Sequence, residues 1–167
     1  MLVHHFLEQS FERTPDKTAL VCEGRRWTYQ ELESAANRVA NALRSLGVKR
    51  GDRVGLCMRN SAEAVASLFG ILKAGAVFVF VNPTIKRDKL EYILNNCQAT
   101  ALLYDARTVG GSLLEASTCP VPSLLGAFVC GATATTATPA ATPNRTVTPW
   151  ATLQSSNPDT RPLLATI

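Results

Sequence analysis

The sequence predicts an α/β protein built on a mainly parallel sheet flanked by helices, and three observations carry that prediction. Three short runs, Arg53–Met58, Ala76–Val81 and Thr100–Tyr104, are apolar at nearly every position rather than alternately. Strands with no polar face belong to a sheet covered on both sides, and parallel strands need crossover segments between them. Segments of helical period separate these runs, so strand and helix alternate from Gly47 onward.

The elements follow in order. Val3, Phe6, Leu7 and Phe11 recur at helical spacing and predict a first helix with these residues on its apolar face, stopped by Pro15. Thr18–Cys22 and Arg25–Thr28 read as two strands of a hairpin, turned by Glu23-Gly24. Thr28 and Glu31 form a capping box ahead of the stripe Leu32, Ala35, Ala36, Val39, Ala40, Leu43 and Leu46, and Gly47 closes that helix. After the strand at Arg53–Met58, Asn60-Ser61 can cap a third helix, with Glu63 in its first turn and Val65, Leu68, Phe69 and Leu72 facing inward. The strand Ala76–Val81 ends at Asn82-Pro83. Thr84 can then cap a fourth helix carrying Leu90, Ile93 and Leu94, ahead of the strand around Thr100–Tyr104.

Beyond Arg107 only Glu115, Arg145, Asp159 and Arg161 carry charge. Ser123–Cys130 can supply one more strand. Gly131–Thr148 is Thr-, Ala- and Pro-rich and has too few large apolar residues to bury a core. Trp150 and Leu153 re-anchor the chain, and Pro162–Ile167 reads as the approach to a strand.

The totals narrow the class. The 167 residues are 46% hydrophobic and 18% charged, with a net charge of +4, which suits a globular protein with a core. Basic pairs at Arg25-Arg26, Lys49-Arg50 and Lys86-Arg87 lie near acids, which argues against a nucleic-acid footprint. No apolar run is long enough to span a membrane, and no signal peptide opens the chain. Cys22, Cys57, Cys97, Cys119 and Cys130 are odd in number, lack CxxC spacing and read as reduced, buried thiols of a cytoplasmic protein.

Two groups of residues resemble a known family. The first is Trp27–Leu32 (WTYQEL), Ala36–Leu43 (ANRVANAL) and Gly47–Val54 (GVKRGDRV). The second is Asn60-Ser61, Glu63, Leu72–Ala76 (LKAGA), Val81–Pro83 (VNP) and Tyr92–Asn95 (YILN). In this order and spacing they are similar to the opening motifs of the adenylate-forming superfamily, which includes acyl-CoA synthetases, luciferases and the adenylation domains of nonribosomal peptide synthetases. Val81–Thr84 resembles the acyl-CoA synthetase branch more closely. Phe80 departs from the pattern, because the family usually has proline there; the aromatic ring either fills the core or marks a divergent copy.

The resemblance implies a fold, a domain division and a chemistry. Residues 1–130 would be the N-terminal part of the family's large domain, incomplete here. Residues 131–149 would be a loop or insertion, and 150–167 the approach to the phosphate-binding loop. The family joins a carboxylic acid to ATP, with Mg²⁺, as an acyl-adenylate and passes the acyl group to the thiol of CoA or of a carrier protein. Its phosphate loop, a Gly- and Thr/Ser-rich run near Lys, is not found in these residues. Gly110-Gly111-Ser112 is the nearest imitation and lacks the Lys.

No residue is therefore assigned a catalytic, cofactor-binding or metal-binding role. His4 and His5 read as a solvated helix start. Glu31 belongs to the capping box, and Glu63 and Lys73 suit the positive and negative ends of their helix. Cys57 and Cys97 read as inert thiols, and Trp27 and Tyr29 as packing at the hairpin–helix junction. The sequence thus predicts the front of an AMP-forming ligase, inactive alone and binding neither ATP nor Mg²⁺. The alternatives are a non-catalytic interaction protein derived from such an enzyme, self-associating through exposed core, or part of a peptide synthetase adenylation domain. An independent nucleotide-binding module is disfavoured by the lack of a Gly-rich strand–helix turn.

Overall fold

The computed structural model describes residues 2–108, 121–131 and 146–162. Gly110–Ser112, Cys119 and most of the Thr/Ala/Pro-rich segment lie outside the described residues, as does the end of the predicted terminal strand. The chain opens with α1 (His4–Arg13), followed by the hairpin β1 (Thr18–Cys22) and β2 (Arg25–Thr28). Glu23 and Gly24 both take positive φ, 50° and 78°, as a two-residue hairpin turn requires. Next come α2 (Tyr29–Ser45), β3 (Arg53–Cys57), α3 (Ala62–Lys73), β4 (Val77–Phe80), α4 (Arg87–Asn96) and β5 (Ala101–Asp105). The last described elements are β6 (Gly126–Cys130), β7 (Thr146–Pro149) and α5 (Trp150–Ser156).

Strands β3 to β7 make one five-stranded sheet in the order β4-β3-β5-β6-β7, and every neighbouring pair is parallel. The predicted fold class holds. Successive residues of each strand feed opposite faces. Val54, Leu56, Leu103 and Phe128 pack against α2, α3 and Leu153 of α5. Leu102, Tyr104, Ala127 and Val129 pack against Leu90 and Leu94 of α4. The result is three layers, with α1 seated on α2 and α3 through Leu7.

Local chemistry explains the boundaries. The Thr28 hydroxyl accepts from the Glu31 N–H at 3.2 Å and the Glu31 carboxylate accepts from the Thr28 N–H at 2.8 Å, so the capping box forms as read. The Ser61 hydroxyl caps α3 by accepting from the Ala64 N–H. Thr84, by contrast, caps nothing. Its N–H and hydroxyl both donate to Asn82 Oδ1, forming a turn, and α4 starts later, after Lys86.

Four further readings change. On α1, Phe6 is 56% exposed and Val3 is exposed as well, while His4, Leu7 and Glu8 form the buried face. On α3, the fully buried positions are Ala66, Ser67, Gly70, Ile71 and Lys73, with Val65, Leu68, Phe69 and Leu72 half-buried around them. Small residues lie inward because α3 packs tightly on α2. A Cβ on Gly70 would stand 2.5 Å from Val39 Cβ and 2.9 Å from the Ala36 carbonyl.

Thr146–Pro149, read as loop, is a strand paired with Gly126–Val129. Its β-branched residues suit an edge, and Pro149 closes it where no further ladder N–H is needed. Finally, β4 is an edge strand with one exposed flank. Val77 is 50% and Phe80 58% exposed, so Phe80 does not fill the core.

Candidate functional site

Parallel sheets place ligands beyond the carboxyl ends of their strands, at the point where strand order reverses. Here the chain leaves β3 for β4 on one side and then returns to β5 on the other, so the reversal lies between β3 and β5. The residues that follow these two strands form a charged cluster. Asp105, the buried last residue of β5, accepts from Arg107 Nε at 2.9 Å and from Arg107 Nη2 at 2.7 Å. It also accepts from the Arg107 backbone N–H, and Arg59 Nε, just past β3, lies 3.6 Å from its second oxygen. The Arg107 guanidinium holds the Asp105 carboxyl below the usual range despite burial.

Around this cluster the thiols are inert. Burial pushes the Cys57 thiol up, outweighing a hydrogen bond from Thr108, and Asp105 adds to the rise. Burial also pushes Cys130 up, with Glu63 and Asp105 contributing. A protonated, buried thiol is a poor nucleophile, which agrees with the inert reading of Cys57. Cys22 and Cys97 are only partly buried, so the expectation of buried thiols holds for Cys57 and Cys130. With Glu23 and Glu63 acting on Arg107 as well, the cluster sets two guanidinium groups against three carboxylates. It fixes the geometry of the loops at the reversal point and supplies neither a nucleophile nor an unbalanced cation.

A second buried polar group joins the helices. Lys73 is 1% exposed, and its Nζ lies 2.7 Å from Glu8 of α1 and 2.8 Å from Glu33 of α2. Arg161 Nε adds a contact to Glu8 at 3.5 Å. Burial pushes the Glu8 carboxyl up, but Lys73 and Arg161 outweigh it and hold the group below its ordinary value. The helix-end account of Lys73 is thus incomplete, because the ammonium is the hub of an interior ion cluster. Glu31 and Glu63 occupy the helix starts foreseen for them. Tyr29 packs on the cluster around Leu7 and Leu32, while Arg25 stacks 4.1 Å above the Trp27 ring.

His4 is 5% exposed and is no solvated helix start. Burial pushes its imidazole below the ordinary value, against the pull of Glu8. The ligand atoms of His4, His5 and Glu8 lie within 4.8 Å of one another. A metal would have to compete with Lys73 for the Glu8 carboxylate, and the ammonium already neutralises it. The geometry favours an ion-pair network over a metal centre.

At the opposite, amino-terminal end of the sheet lies an open cleft of about 940 Å³, between the start of α1 and the turns that precede β3 and β4. The sequence did not mark it, because its walls come from three separate segments.

Comparison with known proteins follows the same outline. The family model described as "AMP-binding enzyme" matches residues 7–125. Malpinin synthetase of Mortierella alpina is 38% identical over 105 residues, which are 63% of this chain and 1% of that protein. A medium/long-chain-fatty-acid–CoA/3-oxocholest-4-en-26-oate–CoA ligase of Mycobacterium marinum is 40% identical over 98 residues, 59% of this chain and 18% of that one. Among solved structures, the anthranilate CoA ligase AuaEII in complex with anthranoyl-AMP aligns with a TM-score of 0.80 at 32% identity. That alignment covers 94% of this chain and 28% of the ligase. The chain therefore spans less than a third of each of these relatives. Among the described residues, no helix is long and apolar enough to cross a membrane.

Proposed function

The chain belongs to the AMP-binding enzyme family, and from that premise we propose that it supplies the N-terminal sheet-and-helix layer of an AMP-forming acid–thiol ligase. The observation that carries this reading is the five-stranded parallel sheet of a chain that superposes on the anthranilate CoA ligase at 32% identity. In such a ligase ATP and Mg²⁺ activate a carboxylic acid as its adenylate, and CoA or a carrier-protein thiol takes the acyl group. We assign that chemistry to the whole enzyme in the cytoplasm and none of it to this chain alone.

The acyl-CoA branch is preferred for Val81–Thr84, whose turn is held by Asn82. A peptide synthetase adenylation unit is the second reading, favoured by the 38% identity to malpinin synthetase. The bare flank of β4 further supports self-association of the isolated chain.

ATP–pyrophosphate exchange tests the proposal. The isolated chain should show no exchange above blank with fatty acids, aromatic acids or amino acids, and exchange by the chain alone overturns the assignment. A chimera completes the test. When residues 7–125 replace the matching segment of the anthranilate CoA ligase, anthranilate-dependent exchange should survive. A soluble, folded chimera without exchange would remove the claim that this chain supplies a working layer.

A further inference from the structure

The cleft at the amino-terminal end of the sheet has the composition of a binding site. Its volume of about 940 Å³ falls in the range of small-molecule pockets. Val48, Leu72, Ala74 and Ala76 give it an apolar floor, and Leu2 and Val3 from the approach to α1 form an apolar wall. Arg44, Lys49 and Arg50 stand along its margin, and among the described residues no acidic side chain lines it. Lys49 and Arg50 are exposed, so their charged ends reach solvent at the mouth.

The local field has the sign an anion needs. Helices α2 and α3 both end at the cleft, each contributing roughly half a negative charge. The start of α1, at His4, contributes about half a positive charge in the other direction. Asp52 lies nearby, with its carboxylate accepting from the Lys49 N–H at 2.8 Å. Lys49 and Arg50, two full cations, together with the start of α1 exceed these opposing contributions. An apolar trough under a cationic margin matches a molecule with one acidic head and one hydrocarbon tail.

We propose that this cleft binds a single-chain amphiphilic anion, its alkyl chain along Val48, Leu72, Ala74 and Ala76 and its acidic head at Lys49 and Arg50. The site lies at the end of the sheet opposite the β3–β5 reversal point. It does not depend on the ligase reading, and it can fail while that reading stands. Burial of the tail provides the drive, and the cations select the head and orient it outward.

Decanoate below its micelle concentration is the probe, titrated into the full 167-residue chain by calorimetry. The amide signals of Gly47 and Gly75, which line the cleft, are followed by NMR. The expected result is saturable one-to-one binding, with shifts centred on those two amides. Decanol, with the same chain and no charge, should bind about tenfold more weakly, as should decanoate to the Lys49→Glu/Arg50→Glu variant. Val3→Asp, which puts a carboxylate into the apolar wall, should weaken decanoate without unfolding an exposed site. Equal affinity for decanol, unchanged affinity in the charge-reversed variant, shifts elsewhere or a lack of saturation would each overturn the proposal. Binding to phosphatidylglycerol vesicles without binding of monomeric decanoate would also overturn it, assigning the face to a membrane surface instead.

Discussion

Lys73 shows how a single side chain can be misjudged from its local position. In the sequence it stands at the last position of a helix, where a cation is favoured by the macrodipole. In the fold it meets Glu8, 65 positions away, and Glu33, 40 positions away, with almost no contact with water. Breaking a buried pair is costly because it strands the remaining charge, and here two carboxylates would face one another. Lys73→Met should therefore lower stability by about 3–5 kcal/mol, read as a fall in the urea midpoint. Neutralising the carboxylates as well, with Glu8→Gln and Glu33→Gln, should restore most of the loss. A single Lys73→Met variant as stable as the parent would show that the cluster contributes nothing. The capping box at Thr28 and Glu31 was legible because both partners lie within one turn. The Lys73 cluster was not, because its partners arrive from two other helices.

At the scale of elements, the order of strands and helices was readable, while the buried faces of two helices were not. Hydrophobic spacing marks Val65, Leu68, Phe69 and Leu72 as the inward stripe of α3, yet its close approach to α2 is made at Gly70, with Ala66 and Ser67 also buried. Where two backbones come near enough, bulk is excluded and the large side chains spread to the flanks of the contact. Likewise on α1, Phe6 lies outward because the inward face is taken by Leu7 and the Glu8 ion pair. Gly70→Ala tests the α2–α3 approach directly. The added Cβ would collide with Val39 and the Ala36 carbonyl, so the substitution should cost about 1–3 kcal/mol although alanine is the better helix former. Val39→Ala in the same chain should recover part of that cost, because it removes Val39 Cγ1, which would stand 2.6 Å from the new methyl, while Cβ stays. Additive losses in the double variant would rule out the contact as the cause.

The whole molecule is a three-layer unit whose sheet is better protected at its centre than at its β4 edge. Strands β3, β5 and β6 are nearly buried along their length, as their unbroken apolar runs require. The run at β4 looks the same in sequence, but its place at the end of the strand order leaves Val77 and Phe80 in solvent. Composition cannot separate a central strand from an apolar edge strand, because only the crossover order decides which one gains a second neighbour. Phe78 and Phe80 stack edge to face, with ring centroids 5.8 Å apart, which spreads the apolar surface along that edge. An uncharged apolar edge strand is a template for pairing with another copy. The isolated chain should therefore elute from size-exclusion chromatography at a mass that rises with concentration. Phe80→Lys places a charge on the bare flank without touching the core, so it should abolish the rise and leave the unfolding free energy within about 0.5 kcal/mol of the parent. A parent chain that stays monomeric at high concentration would mean that the edge is protected by its shortness, four residues being too few to hold a partner.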